Sequence, residues 1–133
     1  MDMRLAVSQL LREAVQSAFP QLAQEDLPQP EALEIPPDSK LGDFAYPCFR
    51  LARPLRLAPA RIAEQIASAV GDNPLAAARC VGGYVNFLFH RARFARDVLS
   101  RVLAQGQEYG SRPDNGKTVV LDYSSINIAK RFH

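Results

Sequence analysis

Tyr84 and Asn86 are the side chains of this sequence best placed to do chemistry. They stand two residues apart in the run Val81-Gly82-Gly83-Tyr84-Val85-Asn86-Phe87-Leu88-Phe89. The run is rich in β-branched and aromatic residues and reads as a strand. Alternation puts Val81, Val85, Phe87 and Phe89 on one face, the core face, and Tyr84, Asn86 and Leu88 on the other. The second face then carries an aromatic ring and an amide about 7 Å apart, a spacing suited to stacking on one unpaired base and hydrogen-bonding its edge. Gly82 and Gly83, read as a bulge or bend, leave room for a backbone or a ligand to approach. An ordinary solvated sheet face carries the same residue types, so the residues alone leave both readings open.

Composition narrows the context. With 133 residues, 47% of them apolar, the chain can bury one core. It holds no apolar run near the ~20 residues of a membrane span and no signal-peptide core, so a cytoplasmic location is expected. Cys48 and Cys80 show neither metal-ligand spacing nor a disulfide framework, and read as buried thiols. Charge is unevenly distributed. Residues 1–50 hold 4 basic and 8 acidic side chains, a balance of −4, whereas residues 51–133 hold 12 and 6, a balance of +6. Of the 16 cations 13 are arginine, the cation that pairs with phosphate in bidentate fashion and stacks on bases. The basic part is the one that contains Tyr84 and Asn86, a pattern fitting nucleic acid.

The elements that must position these residues follow from periodicity. Met3, Ala6, Val7, Leu10, Leu11, Ala14, Val15 and Ala18 mark an amphipathic helix ended by Pro20. A proline-rich loop follows, with one helical turn near Leu22 to Glu25, and then a short strand over Glu31 to Ile35. Asp43 reads as the N-cap of a helix through Leu55, with Pro47 in or after its first turn. Pro59 opens a helix to Val70, with Ile62, Ile66 and Val70 on one side and Gly71 as its stop. Ala77 to Val81 reads as a strand. After the central strand comes a helix with Phe94, Ala95, Val98, Leu99, Val102 and Leu103 on one face. His90, Arg91, Arg93 and Arg96 mark its start, where cations oppose the helix dipole and hint at an external anion. His90 itself reads as structural. Residues 105–117 read as a linker.

The last segment changes character. Thr118-Val119-Val120-Leu121-Asp122-Tyr123 is an apolar run of buried parallel-strand type, followed by Ser124-Ser125-Ile126-Asn127-Ile128-Ala129-Lys130-Arg131-Phe132-His133. This tail resembles the start of the catalytic domain of arginyl-tRNA synthetases, class I enzymes in which a first Rossmann strand runs into Tyr-Ser-x-Pro-Asn-x-x-Lys-x-x-His-x-Gly-His. Ile126 replaces the usual proline, and the sequence stops at the first histidine of that signature. Upstream, Gly42-Asp43, the helix from Pro59 with its Ile-Ala-Glu-Gln-Ile core, and Gly83-Tyr84-Val85-Asn86-Phe87 resemble the family's N-terminal additional domain in the same order.

The resemblance implies an α+β fold, a small antiparallel sheet packed with about four helices, followed by the truncated first strand of a Rossmann domain. Residues 1–110 correspond to the tRNA-binding domain, and 111–133 to a linker and the start of the catalytic domain. It assigns Ser125 and Asn127 to the arginine substrate, and Lys130 and His133 to ATP and catalysis in an incomplete site. Tyr84 and Asn86 fall where the family contacts an unpaired base of the tRNA D-loop; Arg50, Arg53, Arg79 and Arg91 are candidate phosphate contacts. The implied partners are tRNA(Arg), arginine and ATP with Mg, with no membrane. Imidazole and ammonium donors suit attack of a carboxylate on the α-phosphate only when preorganised. The 133-residue chain alone is therefore expected to lack arginine-dependent pyrophosphate exchange and to need no cofactor. Severed from its neighbours, 118–133 is expected to be poorly ordered or to borrow packing from residues 1–110 or a second copy. The competing reading is a free-standing adaptor whose sheet binds a protein.

Overall fold

A computed structural model describes residues 2–123. Helix α1 (Met3–Ala18) begins where Asp2 Oδ1 accepts from the amide of Arg4 at 2.9 Å, satisfying one of the free N–H groups of the first turn. Its buried stripe is Val7, Leu11, Ala14 and Val15, and Pro20 prevents its continuation. Helix α3 (Pro59–Val70) has proline at its first position, buries Ile62, Ala63, Ile66 and Val70, and stops at Gly71, whose φ of 60° glycine adopts without penalty. Helix α3 packs on α1 and on one face of a three-stranded antiparallel sheet of order β1-β3-β2. The strands are β1 (Phe44–Pro47), β2 (Ala76–Val81) and β3 (Tyr84–Phe89). Tyr46, Val85, Phe87 and Ala76 enter the core beneath the helices.

Several expectations are corrected. Residues 43–55 are not one helix: Phe44–Pro47 pair with β3, and helix α2 spans only Phe49–Leu55. Asp43 therefore caps no helix. Its amide donates to the Phe87 carbonyl at 2.7 Å, while its carboxylate accepts from the Phe89 amide at 2.8 Å and from the Arg91 guanidinium at 2.8 Å, tying β1 to the end of β3. Pro47 ends a strand on the sheet's β1 side, where a missing N–H costs little. Gly42 is fixed by the same contact: at φ 144°, a Cβ there would lie 2.8 Å from the Phe87 carbonyl oxygen. Residues 31–35 make a 3₁₀ turn at Pro30–Ala32 and a single antiparallel bridge from Glu34 to Ala45 instead of a strand. The early helical turn falls at Gln24–Asp26.

Helix α4 (Arg91–Gln105) forms where periodicity predicts, but its apolar face is largely uncovered. Phe94 stacks on Phe89 with centroids 5.9 Å apart, whereas Leu99 and Leu103 are exposed. Residues 118–123 form no strand and do not borrow packing from the domain: Val119, Val120, Leu121 and Tyr123 are all exposed. A parallel strand needs neighbours on both sides, and none of the three described strands pairs with it.

Cys48 is buried and Cys80 partly so. Burial pushes the Cys48 thiol from its ordinary 9.0 up to about 12, and it pushes the phenol of buried Tyr46 upward as well. The unfolded chain releases the Cys48 proton near pH 9 and the folded chain holds it to about 12, so the folded state binds more protons in between. This contribution is intact below pH 9 and is lost as pH rises, by up to about 1.4 kcal/mol per pH unit. Urea unfolding at pH 8.5 and 10.5 checks this: wild type is expected to lose stability on the alkaline side, and Cys48→Ala to lose less.

Candidate nucleic-acid interface

Gly82 and Gly83 form the two-residue turn of the β2–β3 hairpin, not a bulge, because Val81 and Tyr84 are direct cross-strand partners. Gly82 adopts φ 58°, as such a tight turn requires. The turn resets the alternation of side chains. Val81 consequently shares a face with Tyr84 and is 44% exposed, instead of sitting on the core face with Val85.

On this outer face Tyr84 is partnered by Pro47 on one side and Val81 on the other, and its ring is 39% exposed. Asn86 is partnered by Ala45 and Arg79. It is only 3% exposed, contrary to the expectation of a solvated amide. It lies in the middle strand, flanked by β1 and β2. Its Oδ1 is buried and accepts no hydrogen bond. Leaving such an acceptor unmade costs about 1–3 kcal/mol.

Of the arginines, Arg79 stands directly across from Asn86 and is exposed. Arg50 and Arg53 lie exposed on α2, whose start is tied to the hairpin by the Cys48 amide donating to the Gly83 carbonyl at 2.9 Å. Arg91 is elsewhere. It begins α4 beyond the far end of β3, roughly 20 Å along the strand from Tyr84, and is paired with Asp43 at 2.8 Å. His90 is structural as expected, its Nε2 3.0 Å from the Asn73 carbonyl oxygen. Sequence reasoning missed Phe49, which is 56% exposed beside the hairpin. The available signal was its position in α2, next to Arg50 and four residues before Arg53.

Cleft-forming residues are found elsewhere in the domain. One cleft, between α1 and α4, is lined by Met3, Ala6, Leu75, Phe94 and Ser100. Among the described residues no cluster of three or more His, Cys, Asp or Glu is arranged to hold a metal ion, and no helix is long and apolar enough to cross a membrane. Ser125, Asn127, Lys130 and His133 lie outside the described residues, so the chain's fit to arginine, ATP or Mg is not a property of the described domain. What the outer face offers is a solvent-facing ring, a largely buried amide beside it on the same strand, and guanidinium groups at its margin. That combination can stack on a base, read its edge and neutralise phosphate.

Comparison with known proteins gives the family. Residues 6–89 match the family model described as the arginyl tRNA synthetase N terminal domain. An arginine–tRNA ligase of Alkaliphilus metalliredigens is 40% identical over 134 residues, covering 99% of this chain and 23% of that protein. One from Clostridium perfringens is 44% identical over 102 residues, covering 76% of this chain and 18% of that protein. The chain thus spans about a fifth of the length of these relatives. Among solved structures, Thermus thermophilus arginyl-tRNA synthetase superposes with a TM-score of 0.55 at 27% identity, over 72% of this chain and 15% of that one. With the matched region running from α1 to the end of β3 and including Tyr84 and Asn86, the chain belongs to the arginyl-tRNA synthetase N-terminal domain family.

Proposed function

We propose that residues 1–110 are the tRNA-reading domain of an arginine–tRNA ligase, and that 111–133 lead into its catalytic domain. On this reading the domain grips the D-loop corner of tRNA(Arg). Tyr84 stacks on an unpaired base, Asn86 bonds its edge, and Arg50, Arg53 and Arg79 meet neighbouring phosphates. Arg91 contributes less, because its guanidinium is already engaged by Asp43. The complete enzyme would attach arginine to tRNA(Arg) with ATP and Mg in the cytoplasm, with Ser125 and Asn127 at arginine and Lys130 and His133 at ATP. The domain's part in that reaction is positional: holding the outer corner of the tRNA fixes where its acceptor end can go.

The observation that carries this reading is the exposed Tyr84 ring on the outer face of β3, with the exposed Arg79 on the neighbouring strand across from Asn86. The test is a titration of the 133-residue chain with two hairpins of tRNA(Arg), the D-arm and the anticodon arm, at matched salt. The D-arm is expected to bind at least tenfold more tightly, since the anticodon arm offers the same phosphates without the target base. Equal affinities would show that the chain senses only charge.

A further inference from the structure

Phe49 is an apolar ring with no cover. It opens α2 with 56% of its surface exposed, while its neighbours Cys48 and Leu51 are fully buried. Arg53, one turn on at i+4, shares its side of the helix, and Arg50 follows it in sequence. Both are exposed, and among the described residues neither forms an ion pair, the pairs being Arg91 with Asp43 and Arg93 with Asp97. No acid occurs in α2.

Location adds to composition. The 2.9 Å hydrogen bond from the Cys48 amide to the Gly83 carbonyl leaves Phe49 and Tyr84 each one residue from the same contact. By standard bond lengths their Cα atoms are no more than about 12 Å apart. Val81, 44% exposed, flanks Tyr84 on the other side, so exposed apolar surface clusters at this end of the sheet.

We infer that Phe49 is a second stacking platform, which takes an unpaired nucleotide close to the one on Tyr84 while Arg53 meets its phosphate. The inference rests on the RNA reading of the Tyr84 face and extends it from one base to two. Single-stranded RNA is the occupant that fits. An isolated aromatic ring amid unpaired guanidinium groups presents a π-face for a base and charge for its phosphate, whereas a protein partner would have to supply acids to each arginine. Continuity with the Tyr84 face means that one loop can engage both rings. Base stacking tolerates any base identity, so Phe49 contributes affinity and Asn86 the discrimination.

The chain contains no tryptophan, so Phe49→Trp installs a single indole at the platform. Titration with the D-arm hairpin is expected to quench its fluorescence to saturation, and a fully paired duplex of equal length is expected to leave it unchanged. In anisotropy titrations Phe49→Ala is expected to weaken hairpin binding by about 5- to 150-fold, the range of one base–aromatic stack, with its thermal unfolding midpoint unmoved. Arg53→Ala is expected to reduce the slope of log K against log salt by about 0.7. Tyr84→Ala is the control. If it weakens binding while Phe49→Ala does not, or if the indole is not quenched, the second platform is refuted and the one-base reading stands. If neither alanine variant weakens binding, the RNA reading fails and the inference fails with it.

Discussion

Tyr84→Ala is expected to cost the domain about 1–3 kcal/mol of affinity for tRNA(Arg), equivalent to about 5- to 150-fold, because it removes one base–aromatic stack. Stability should change little. The ring is 39% exposed and stands on the outer face, away from the core formed by α1, α3 and the inner side of the sheet. Tyr84→Phe keeps the stacking surface and is expected to bind within a few-fold of wild type. Anisotropy titrations for affinity, with urea unfolding for stability, separate the two effects. A Tyr84→Ala protein that binds normally would mean that the ring is only an exposed residue on a solvated face.

The opposite result is expected three residues along. Phe87→Ala should destabilise the domain by about 3–5 kcal/mol, the range for deleting a fully buried ring and leaving its cavity. Phe87 is 0% exposed at the centre of the middle strand, paired to Phe44 on one side and Ala78 on the other. Domains of this size are commonly stable by 5–15 kcal/mol, so this one substitution would consume a large part of the margin. Urea unfolding followed by far-ultraviolet circular dichroism measures it directly. A loss below about 1 kcal/mol would contradict the packing described. The same strand thus carries a binding residue and a structural residue, separated by the alternation of its side chains.

That alternation was readable from sequence, and so were the elements whose determinants are local. Helices α1 and α3 announce themselves by apolar spacing, with Pro20 closing the first and Pro59 and Gly71 bounding the second. Strand β1 was not legible. Asp43-Phe44-Ala45-Tyr46-Pro47 has the look of a cap followed by a first helical turn, and what makes it a strand is pairing with Tyr84 to Phe87, some forty residues away. Two consequences follow from that one non-local contact. With β1 in place β3 becomes the middle strand of the sheet. With Cys48 bonded to Gly83, the start of α2 is carried to the hairpin and Phe49 is brought beside Tyr84. Val81 illustrates a different limit: continuous alternation from 81 to 89 holds only if the glycines do not turn the chain, and they do. The face was therefore legible in its residues, and its depth and margins depended on a partner strand that no local pattern reveals.

The central claim is that Tyr84 and Asn86 together read one unpaired base, and a thermodynamic cycle tests it most directly. Affinities are measured for wild type, Tyr84→Ala and Asn86→Ala, each against native tRNA(Arg) and against tRNA(Arg) with the D-loop base replaced. Asn86→Ala removes the side-chain amide, so on this account it is expected to bind both tRNAs equally, abolishing the preference that wild type shows. Tyr84→Ala is expected to weaken both and to shrink the preference, giving a coupling of at least about 1 kcal/mol between side chain and base, as for groups in contact. If each substitution changes the two affinities by the same factor, or changes neither, the strand does not read the base and the account is contradicted.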